Sequence, residues 1–488
     1  MQSLFWNPKG QLPGDVHIVR VGNEYHLFTE QTPIGAQFAG TRTVGHAVSK
    51  DLFHWEELPS CLGCGKPGEF DAYSIFHMGV HVHQNRWYMH YTGLDIAGPG
   101  QQQAIGLATS NDGIQWTKHR ANPVLRANLR YYEPAIPREA TYQEKDFGRL
   151  WFRDPYVIRN SKTGEFGMIV MARDIKKHPD VRGCLSWATS TDLVDWESHP
   201  PIYSPGRFHT IETPSIYECN GRHYIVYMTH SQWGSPILTT DPYQTAGDFY
   251  AISERGWTGP YSPPDDEVLV AAHGQMRMGA AKIVDGPSGE LFLYGWLLLT
   301  PRAEDAAPES ALNKAVPPPR RVSFLKAGEM QVNYYEKIES FTQPAKVVRR
   351  SPAETLKNLG GRSTEAFEGQ HDNLIFSATI QFILGERAGL ILRTNESMTG
   401  GLYAIADRRY GRIEFGILDD DRFIDARAWK PREKVDLKVI AYGPSIEIYA
   451  DNRLMIHNAR HRETRGSVGI IVECADAIFR GYRLLSFK

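Results

Sequence analysis

The sequence predicts an all-β protein, a five-bladed β-propeller followed by a β-sandwich, and three observations support this prediction. A strand with alternating apolar residues recurs five times, and a hairpin-type turn precedes each copy. A second strand, followed by a Ser, an Asp-centred turn and a Trp, recurs three times. Beyond about residue 345, short strands continue without either repeat, which is typical of a separate β-sandwich.

The copies of the first repeat assign the blades of the predicted propeller. They lie at residues 24–28, 86–91, 165–170, 222–227 and 290–294, and the second repeat lies at residues 45–55, 105–116 and 185–196. We expect Trp55, Trp116 and Trp196 to pack between neighbouring sheets, while the Asp of each turn binds its own backbone. Each unit has four predicted strands and about 60 residues, more than the ~40 to 50 residues of the common propeller families.

Domain boundaries follow from where these repeats stop. The propeller is predicted at residues 1–300, and a Pro- and charge-rich linker with one closing strand at residues 301–345. Residues 346–488 form the predicted sandwich. Two domains agree with a length of 488 residues, which exceeds that of one ordinary domain.

Composition and charge exclude several classes of partner. Apolar residues make up 41% of the chain, which also contains 44 Gly and 30 Pro, as expected of a soluble, turn-rich β protein. The formal net charge of −2 argues against nucleic-acid and anionic-membrane partners, because both require a basic face. We therefore expect a neutral ligand, and the oligomeric state stays open.

The N-terminus and the cysteines predict a cytoplasmic protein. Residues 1–6 lack the basic and apolar regions of a signal peptide, and no run is long enough to span a membrane. Five Cys in so long a chain do not form a disulfide framework. Cys61 and Cys64 form a lone C-x-x-C without the partner pair of a zinc site.

Three acidic residues each open a predicted innermost strand, so we expect them to meet at one mouth of the propeller channel. They are Asp15, Asp154 and Glu212. Two carboxyl groups that face each other across a sugar can break a glycosidic bond. Asp15 suits a nucleophile and Glu212, with its longer reach, a proton donor whose pKa burial would raise. Asp154 would stabilise positive charge at the ring, and Arg153 would orient a carboxylate or a hydroxyl.

Several motifs together resemble glycoside hydrolase family 32, the family of invertases, inulinases and levanases. The motifs are Gly14-Asp15, Tyr25-His-Leu-Phe28, Tyr91-Thr-Gly93, Arg153-Asp154-Pro155 and Glu212-Thr-Pro214. The resemblance implies a five-bladed propeller followed by a β-sandwich, and a retaining β-fructofuranosidase reaction without metal or organic cofactor. It also implies Asp15 as the nucleophile, Asp154 as the transition-state stabiliser and Glu212 as the general acid/base.

The chain departs from the family pattern at residues that contact the sugar. Gly14-Asp15-Val16 stands where the family has Asn-Asp-Pro, and Glu212-Thr-Pro stands for Glu-Cys-Pro. The Phe-Ser-Gly-Ser stretch is represented by residues 70–74. A small carbohydrate or oligosaccharide is the expected partner. The expected substrate-binding residues are Arg153, Trp6, Asp71, Ser74 and Trp151, and Trp233 could also stack on a sugar.

Other functions stay open at this point. The same site could act on another furanose such as arabinose, or transfer the glycosyl group to a sugar. The propeller could also bind carbohydrate or act as a scaffold without catalysis, with the three acids as remnants. Taken singly, Arg153 and Asp154 could form a structural ion pair between two blades, Glu212 could cap a turn, and Asp15 could be structural. His81 and His83 share one strand face and could bind a metal, although such pairs are more often part of an ordinary strand face.

Overall fold

The computed structural model describes residues 3–36, 40–95, 103–133, 151–160, 163–230, 239–299, 314–345, 353–395, 397–420 and 422–488. Regular structure in these ranges is almost entirely β, with short 3-10 helices at Pro179–Val181 and Glu336–Phe341. The all-β prediction is therefore confirmed. None of the helices described has the length and hydropathy needed to cross a membrane.

Four separate four-stranded antiparallel sheets occupy residues 11–272, and the strands of each sheet follow one another in chain order. Sheet 1 contains β1 (Gln11–Val21), β2 (Glu24–Pro33), β3 (Thr43–Ser49) and β4 (Glu56–Gly63). Sheet 2 contains β5 (Ser74–His83), β6 (Arg86–Leu94), β7 (Gln103–Ser110) and β8 (Thr117–Lys118). Sheet 3 contains β9 (Arg153–Arg159), β10 (Phe166–Arg173), β11 (Gly183–Ser190) and β12 (Glu197–Tyr203). Sheet 4 contains β13 (Glu212–Cys219), β14 (Arg222–Thr229), β15 (Ala246–Ser253) and β16 (Val268–Ala272).

The remaining described strands belong to one sheet of 15 strands. Its first strands are β17 (Met278–Asp285), β18 (Leu291–Leu298), β19 (Lys314–Ala315), β20 (Arg320–Phe324), β21 (Met330–Asn333) and β22 (Thr342–Pro344). The strands of the C-terminal domain are β23 (Ala353–Ala366), β24 (Leu374–Thr394), β25 (Leu402–Asp407), β26 (Arg412–Ile417), β27 (Phe423–Ala428), β28 (Lys434–Tyr442), β29 (Ser445–Ala450), β30 (Arg453–Ala459) and β31 (Ser467–Phe487). Two pairings connect these two groups of strands: Asn333 of β21 pairs with Arg453 of β30, and β22 pairs with β31.

The segment expected to be a linker contributes strands to this sheet. Both β19 and β20 pair with β18, and Val316 forms a bridge with Trp6 near the N-terminus. Part of the charged run, residues 301–313, lies outside the described residues. Residues 314–324 therefore extend a sheet that begins at β17.

The Trp of the second repeat packs between sheets, as predicted. Trp116 in sheet 2 contacts Phe28 in sheet 1 with ring centroids 6.0 Å apart, and Trp196 in sheet 3 contacts His90 in sheet 2 at 5.3 Å. Trp55 in sheet 1 contacts Tyr294 on β18 at 5.7 Å. The Asp of each turn accepts backbone N–H groups, for example Asp192 from Val194 at 2.9 Å. The Trp of each repeat thus joins its own sheet to a neighbouring sheet.

The innermost strands form a closed ring. β1 contacts β5 and β17, β9 contacts β5 and β13, and β13 contacts β17. Each of these five strands has a register irregularity near its start, between Pro13 and Val16 in β1 and at the corresponding place in the others. Bulges of this kind bend a strand and redirect its side chains. The bulges therefore direct side chains from several of these strands toward the end of the ring at which the strands begin.

The C-terminal domain shares a core with the propeller. One cluster joins Leu293 and Val322, from β18 and β20, to Ile375, Ile440 and Tyr449 of the C-terminal strands. A second cluster fills the C-terminal domain itself, with Phe376, Leu437, Ile448 and Ile470 among its fully buried members.

Arg427 on β27 provides a polar connection between the two parts. Its Nη2 lies 3.1 Å from Asp266 Oδ1 and donates to the Val268 carbonyl at 2.7 Å, while Nη1 donates to the Leu454 carbonyl at 2.9 Å. The guanidinium is almost completely buried, so its removal takes a donor away from the Val268 and Leu454 carbonyls, while Asp266 keeps its ion pair with Arg453.

We predict that Arg427→Met lowers the free energy of unfolding by about 1 to 3 kcal/mol, the usual cost of leaving buried hydrogen-bonding groups without a partner. Chemical denaturation followed by tryptophan fluorescence measures the change. Arg422→Met removes an exposed guanidinium from the neighbouring loop and should leave the denaturation midpoint unchanged. Equal midpoints for the two variants would contradict a stabilising role for this interface.

Candidate active site

A cavity of about 440 Å³ opens where the innermost strands begin, a size within the usual range for ligand pockets. Its polar lining consists of Asp15, Glu30, Thr32, Arg42, Gln103, Arg153, Asp154, Glu212, His230 and Lys314, and its apolar lining includes Phe76, Met228, Met276 and Trp296. Asp15, Asp154 and Glu212, which the sequence predicts to converge, all lie in this lining. Arg153, predicted to contact substrate, lies there too.

Backbone bulges hold two of these acids in place. Asp154 and Thr213, the residue after Glu212, both have positive φ angles, 65° and 46°, which side chains larger than hydrogen disfavour. Thr213 N–H donates to Asp154 Oδ2 at 2.9 Å, and Asp154 N–H donates to Thr92 Oγ1 at 2.9 Å. Each strained peptide N–H is therefore satisfied by a side chain from the preceding sheet.

Arg153 bridges two of the carboxyl groups. Its Nη2 donates to Glu212 Oε1 at 2.8 Å, and its Nε lies 3.7 Å from Asp154 Oδ2. The guanidinium lies 4.4 Å from the ring centroid of Trp151, which is itself buried. Trp151 therefore packs against the Arg153 guanidinium and helps to fix its position.

Asp15 occupies the bulge of β1 and is held by a tryptophan. Trp296 Nε1 donates to Asp15 Oδ1 at 2.9 Å, and the buried His77 ring lies 3.8 Å from Oδ2. An added Cβ at Gly14 would lie 2.8 Å from Glu30 Oε2, so a larger residue here would have to displace the Glu30 carboxylate. Gly14, which stands where the family has Asn, is thus accompanied by the carboxylate of Glu30 in the adjacent space.

Burial is the main electrostatic effect in the cavity. It raises the pKa of Glu212 to about 8, and the charges of Asp154 and Asp15 add to this rise while Arg153 opposes it. Burial also raises the pKa of Asp154, again against the effect of Arg153. Glu212 therefore carries a proton at neutral pH and can donate it.

A buried lysine lies behind the acids. Lys282 on β17 donates from Nζ to the Thr213 carbonyl at 2.9 Å. Burial lowers its pKa, while Asp15, Asp248 and Asp154 raise it. The positive charge of Lys282 compensates part of the negative charge of these nearby aspartates.

The other expected substrate-binding residues have partners elsewhere. Asp71 pairs with Lys118 Nζ at 2.6 Å and accepts from Tyr91 Oη at 2.9 Å, and Ser74 is completely buried. Trp6 packs on Trp55 with ring centroids 6.4 Å apart. Of the described cavity-lining residues, none is Trp6, Asp71, Ser74 or Trp151, and β5 contributes Phe76 instead. Trp233 lies outside the described residues.

Most lining residues were not found from the sequence, and Glu30, Trp296 and Lys314 are examples. Glu30 and Trp296 lie on second strands, where the repeat suggested only packing, and Lys314 lies in the expected linker. The sequence signal for Glu30 is its position directly after Tyr25-His-Leu-Phe28-Thr, across the hairpin from Gly14. Lys314 has no comparable signal, because its strand has only two residues.

In the part of the chain that the structure describes, no group of three or more His, Cys, Asp or Glu side chains has an arrangement that could hold a metal ion. The His81 and His83 rings lie 6.4 Å apart and both contact Phe166.

The fold and the cavity together define a β-propeller protein with a carboxyl-rich, sugar-sized pocket at the start of its inner strands. Residues 16–334 match the model of the glycosyl hydrolases family 32 N-terminal domain, and the chain belongs to this family. The resemblance inferred from the motifs is confirmed.

Individual relatives agree with this assignment. The chain is 26% identical to a levanase of Bacillus subtilis over 390 residues, which cover 76% of this chain and 49% of the levanase. It is 28% identical to an extracellular exo-inulinase of Aspergillus awamori over 200 residues, covering 36% of this chain and 32% of that protein. The chain thus spans about half or less of the length of these relatives.

Solved structures share the fold over nearly the whole chain. The exo-inulinase of Aspergillus awamori superposes with a TM-score of 0.71 at 18% identity, covering 100% of this chain and 98% of the other. A GH32 β-fructofuranosidase of Bombyx mori gives a TM-score of 0.69 at 18% identity, covering 99% and 93%. The predicted propeller with a sheet-rich C-terminal domain is therefore confirmed.

We predict that Glu212→Gln stabilises the protein more at pH 8 than at pH 5. The pKa of Glu in an unfolded chain is about 4.3, whereas folding raises the pKa of Glu212 to about 8. The wild type therefore loses stability relative to the variant as pH rises between these values. Denaturation midpoints at both pH values measure the difference. Glu218→Gln, on the exposed end of the same strand, controls for loss of a charge, and a pH-independent difference for Glu212→Gln would contradict the assigned burial effect.

Proposed function

We propose that the protein is a glycosidase that cleaves terminal furanosides, most specifically β-D-fructofuranosides, by a retaining double displacement. The convergence of Asp15, Asp154 and Glu212 on one cavity carries the proposal. Family membership and the levanase and inulinase names of its relatives support the substrate class.

The first step forms a covalent fructosyl intermediate. An Asp15 carboxylate oxygen attacks the anomeric carbon while Glu212 gives its proton to the departing glycosidic oxygen. Trp296 occupies Oδ1 of Asp15, which leaves Oδ2 as the attacking oxygen. Asp154 stabilises the positive charge that develops at the ring, and Arg153 fixes both Asp154 and Glu212.

The second step releases the sugar. Glu212, now ionised, takes a proton from water, and the resulting nucleophile breaks the bond to Asp15 with retention of configuration. Attack by a sugar hydroxyl in place of water would give transfer, and product analysis separates the two outcomes.

We further propose that β17, β18, β20 and β21 serve as the fifth blade. The support is the ring of five innermost strands, in which β17 lies between β13 and β1 and repeats their bulge. In this proposal residues 1–300 form the catalytic domain together with strands from the segment 301–345, and residues 346–488 form a β-sandwich.

We predict that Asp15→Asn abolishes hydrolysis of aryl β-fructofuranosides and that Glu212→Gln lowers kcat by about 10²- to 10⁴-fold. Initial rates and NMR of the first product measure both activity and stereochemistry. Asp285→Asn, at the exposed far end of β17, should retain wild-type rates. Preferential cleavage of arabinofuranosides would show that these, and not fructofuranosides, are the substrates. Sugar binding without turnover would favour a carbohydrate-binding module.

We also predict a fall in kcat/KM above about pH 8, because Glu212 must be protonated for the first step and its pKa is raised to about 8. The profile of Glu212→Gln, measured with an activated aryl leaving group, should lack this alkaline limb. An unchanged limb in the variant would assign the proton donor to another residue.

A further inference from the structure

A buried lysine lies within the ring of inner strands and takes no part in the proposed bond-breaking steps. Lys282 is on β17, directly after the bulge of that strand, and is only 2% exposed. An ammonium group in so dry a place costs free energy unless several groups bind it. The partners of Lys282 therefore indicate its role.

The ammonium group binds backbone carbonyl groups. Lys282 Nζ donates to the Thr213 carbonyl at 2.9 Å, and it lies 3.4 Å from the Ala280 carbonyl and 3.5 Å from the Ala281 carbonyl. The bond to Thr213 is the shortest of the three, and it is the one that reaches another sheet. Lys282 thus connects β17 with β13, the strand that begins at Glu212.

Thr213 is held on both sides. Its φ angle of 46° is one that residues other than glycine adopt only at a cost in free energy. Its N–H donates to Asp154 Oδ2 at 2.9 Å, and its carbonyl accepts from Lys282. Glu212 is the residue directly before Thr213, so the direction of its side chain depends on the peptide that these bonds hold. Without Lys282 one of the two bonds is lost, and the bulge can relax.

Hydrogen bonds at the bulges form a continuous chain through the inner strands. Thr92 of sheet 2 accepts from the Asp154 N–H, and Asp154 Oδ2 accepts from the Thr213 N–H. The Thr213 carbonyl in turn accepts from Lys282. The chain ends at the bulge of β17, where Ala280 also has a positive φ angle, 57°. A change at Lys282 therefore reaches the acids of sheets 3 and 4 through defined contacts.

Ionisable side chains lie close to Lys282 on several strands. They are Asp15 and His17 on β1, His77 on β5, Asp154 on β9 and Asp248 on β15. Burial lowers the pKa of both histidines and the charge of Lys282 lowers it further, so both imidazoles are neutral at neutral pH. Burial also lowers the pKa of Lys282, while the three aspartates raise it. Lys282 therefore presents positive charge to these aspartates from within the ring.

The charge of Lys282 acts on Asp154 in particular. Burial raises the pKa of Asp154, whereas Arg153 and Lys282 lower it. Removal of Lys282 should therefore raise this pKa further. Asp154 would then be neutral over part of the pH range in which the proposed mechanism requires it to stabilise positive charge.

We propose that Lys282 is a positioning residue, whose ammonium group fixes the bulge that carries Glu212 and keeps Asp154 ionised. This inference rests on the proposed function, because it assigns a role within the same mechanism. Lys282 is not among the described residues that line the cavity. It therefore acts through its neighbours and not on the sugar.

Substrates with different leaving groups test the positioning of Glu212. A nitrophenolate departs readily without a proton, whereas methanol must receive one from Glu212. We expect Lys282→Met to lower kcat/KM about 10²-fold on methyl β-fructofuranoside and less than about 10-fold on nitrophenyl β-fructofuranoside. A residue that only stabilises the fold would lower both values by the same factor.

A second variant separates the hydrogen bond from the charge. Lys282→Gln keeps a hydrogen-bond donor and removes the positive charge. It should recover part of the rate on the methyl substrate. In both variants the acidic limb of the kcat/KM profile, measured with the nitrophenyl substrate, should move to higher pH, because Asp154 takes up a proton more readily.

A lysine outside the cavity provides the matched control. Lys438 on β28 is also partly buried, and its Nζ lies 3.4 Å from the ring centroid of Tyr334. Lys438→Met should leave kcat/KM unchanged on both substrates. Circular dichroism and denaturation midpoints establish whether each variant is folded, and Lys282→Gln serves as the test if Lys282→Met does not fold.

The outcomes separate the positioning role from the proposed function. Equal losses on the two substrates, no loss on either, or failure of both Lys282 variants to fold would overturn the positioning role and leave the hydrolase in place. A selective loss without a shift of the acidic limb would overturn the electrostatic part alone. No cleavage of either substrate by the wild type would overturn the hydrolase, and the positioning role with it.

Discussion

The contact of Arg153 with two buried carboxyl groups is the interaction on which the rest of the site depends. The positive charge of Arg153 lies between Glu212 and Asp154 and allows both carboxyl groups to be buried in one cavity. Without this charge, burial would favour the neutral form of each group or force the groups apart. Burial still raises the pKa of Glu212 to about 8, since the guanidinium offsets only part of the desolvation. Glu212 thus stays protonated in a cavity that also holds carboxylate groups. Acid-assisted displacement requires one protonated and one ionised carboxyl group.

The propeller makes this arrangement possible through local strain and remote packing. Positive φ angles at Asp154 and Thr213 cost free energy, and the closed ring of inner strands keeps those peptides in place. The ring is held in turn by tryptophans between sheets and by the core shared with the C-terminal domain. Residues far from the cavity therefore contribute to the placement of its acids.

The sequence predicted the acids better than their neighbours, and the reason is physical. Asp15, Asp154 and Glu212 were each predicted to open an apolar strand, and the first strands of blades converge. Asp154 and Glu212 do lie at the starts of β9 and β13, whereas β1 begins at Gln11 and Asp15 reaches the cavity from its bulge. Glu30 and Trp296 reach the cavity from second strands, opposite the bulges of β1 and β17, where the repeat had suggested only packing. Asp71 illustrates the opposite case, because its motif position suggested substrate contact while Lys118 and Tyr91 provide its partners.

A covalent intermediate on Asp15 is the most direct test of this account. Glu212→Gln, mixed with an activated aryl fructofuranoside and quenched rapidly, should accumulate an adduct because the second step lacks its base. Peptide mass spectrometry should locate one added anhydrohexose on the peptide that contains Asp15. An adduct on any other carboxyl group, or steady turnover without an adduct at any time point, would contradict the assigned nucleophile and the mechanism built on it.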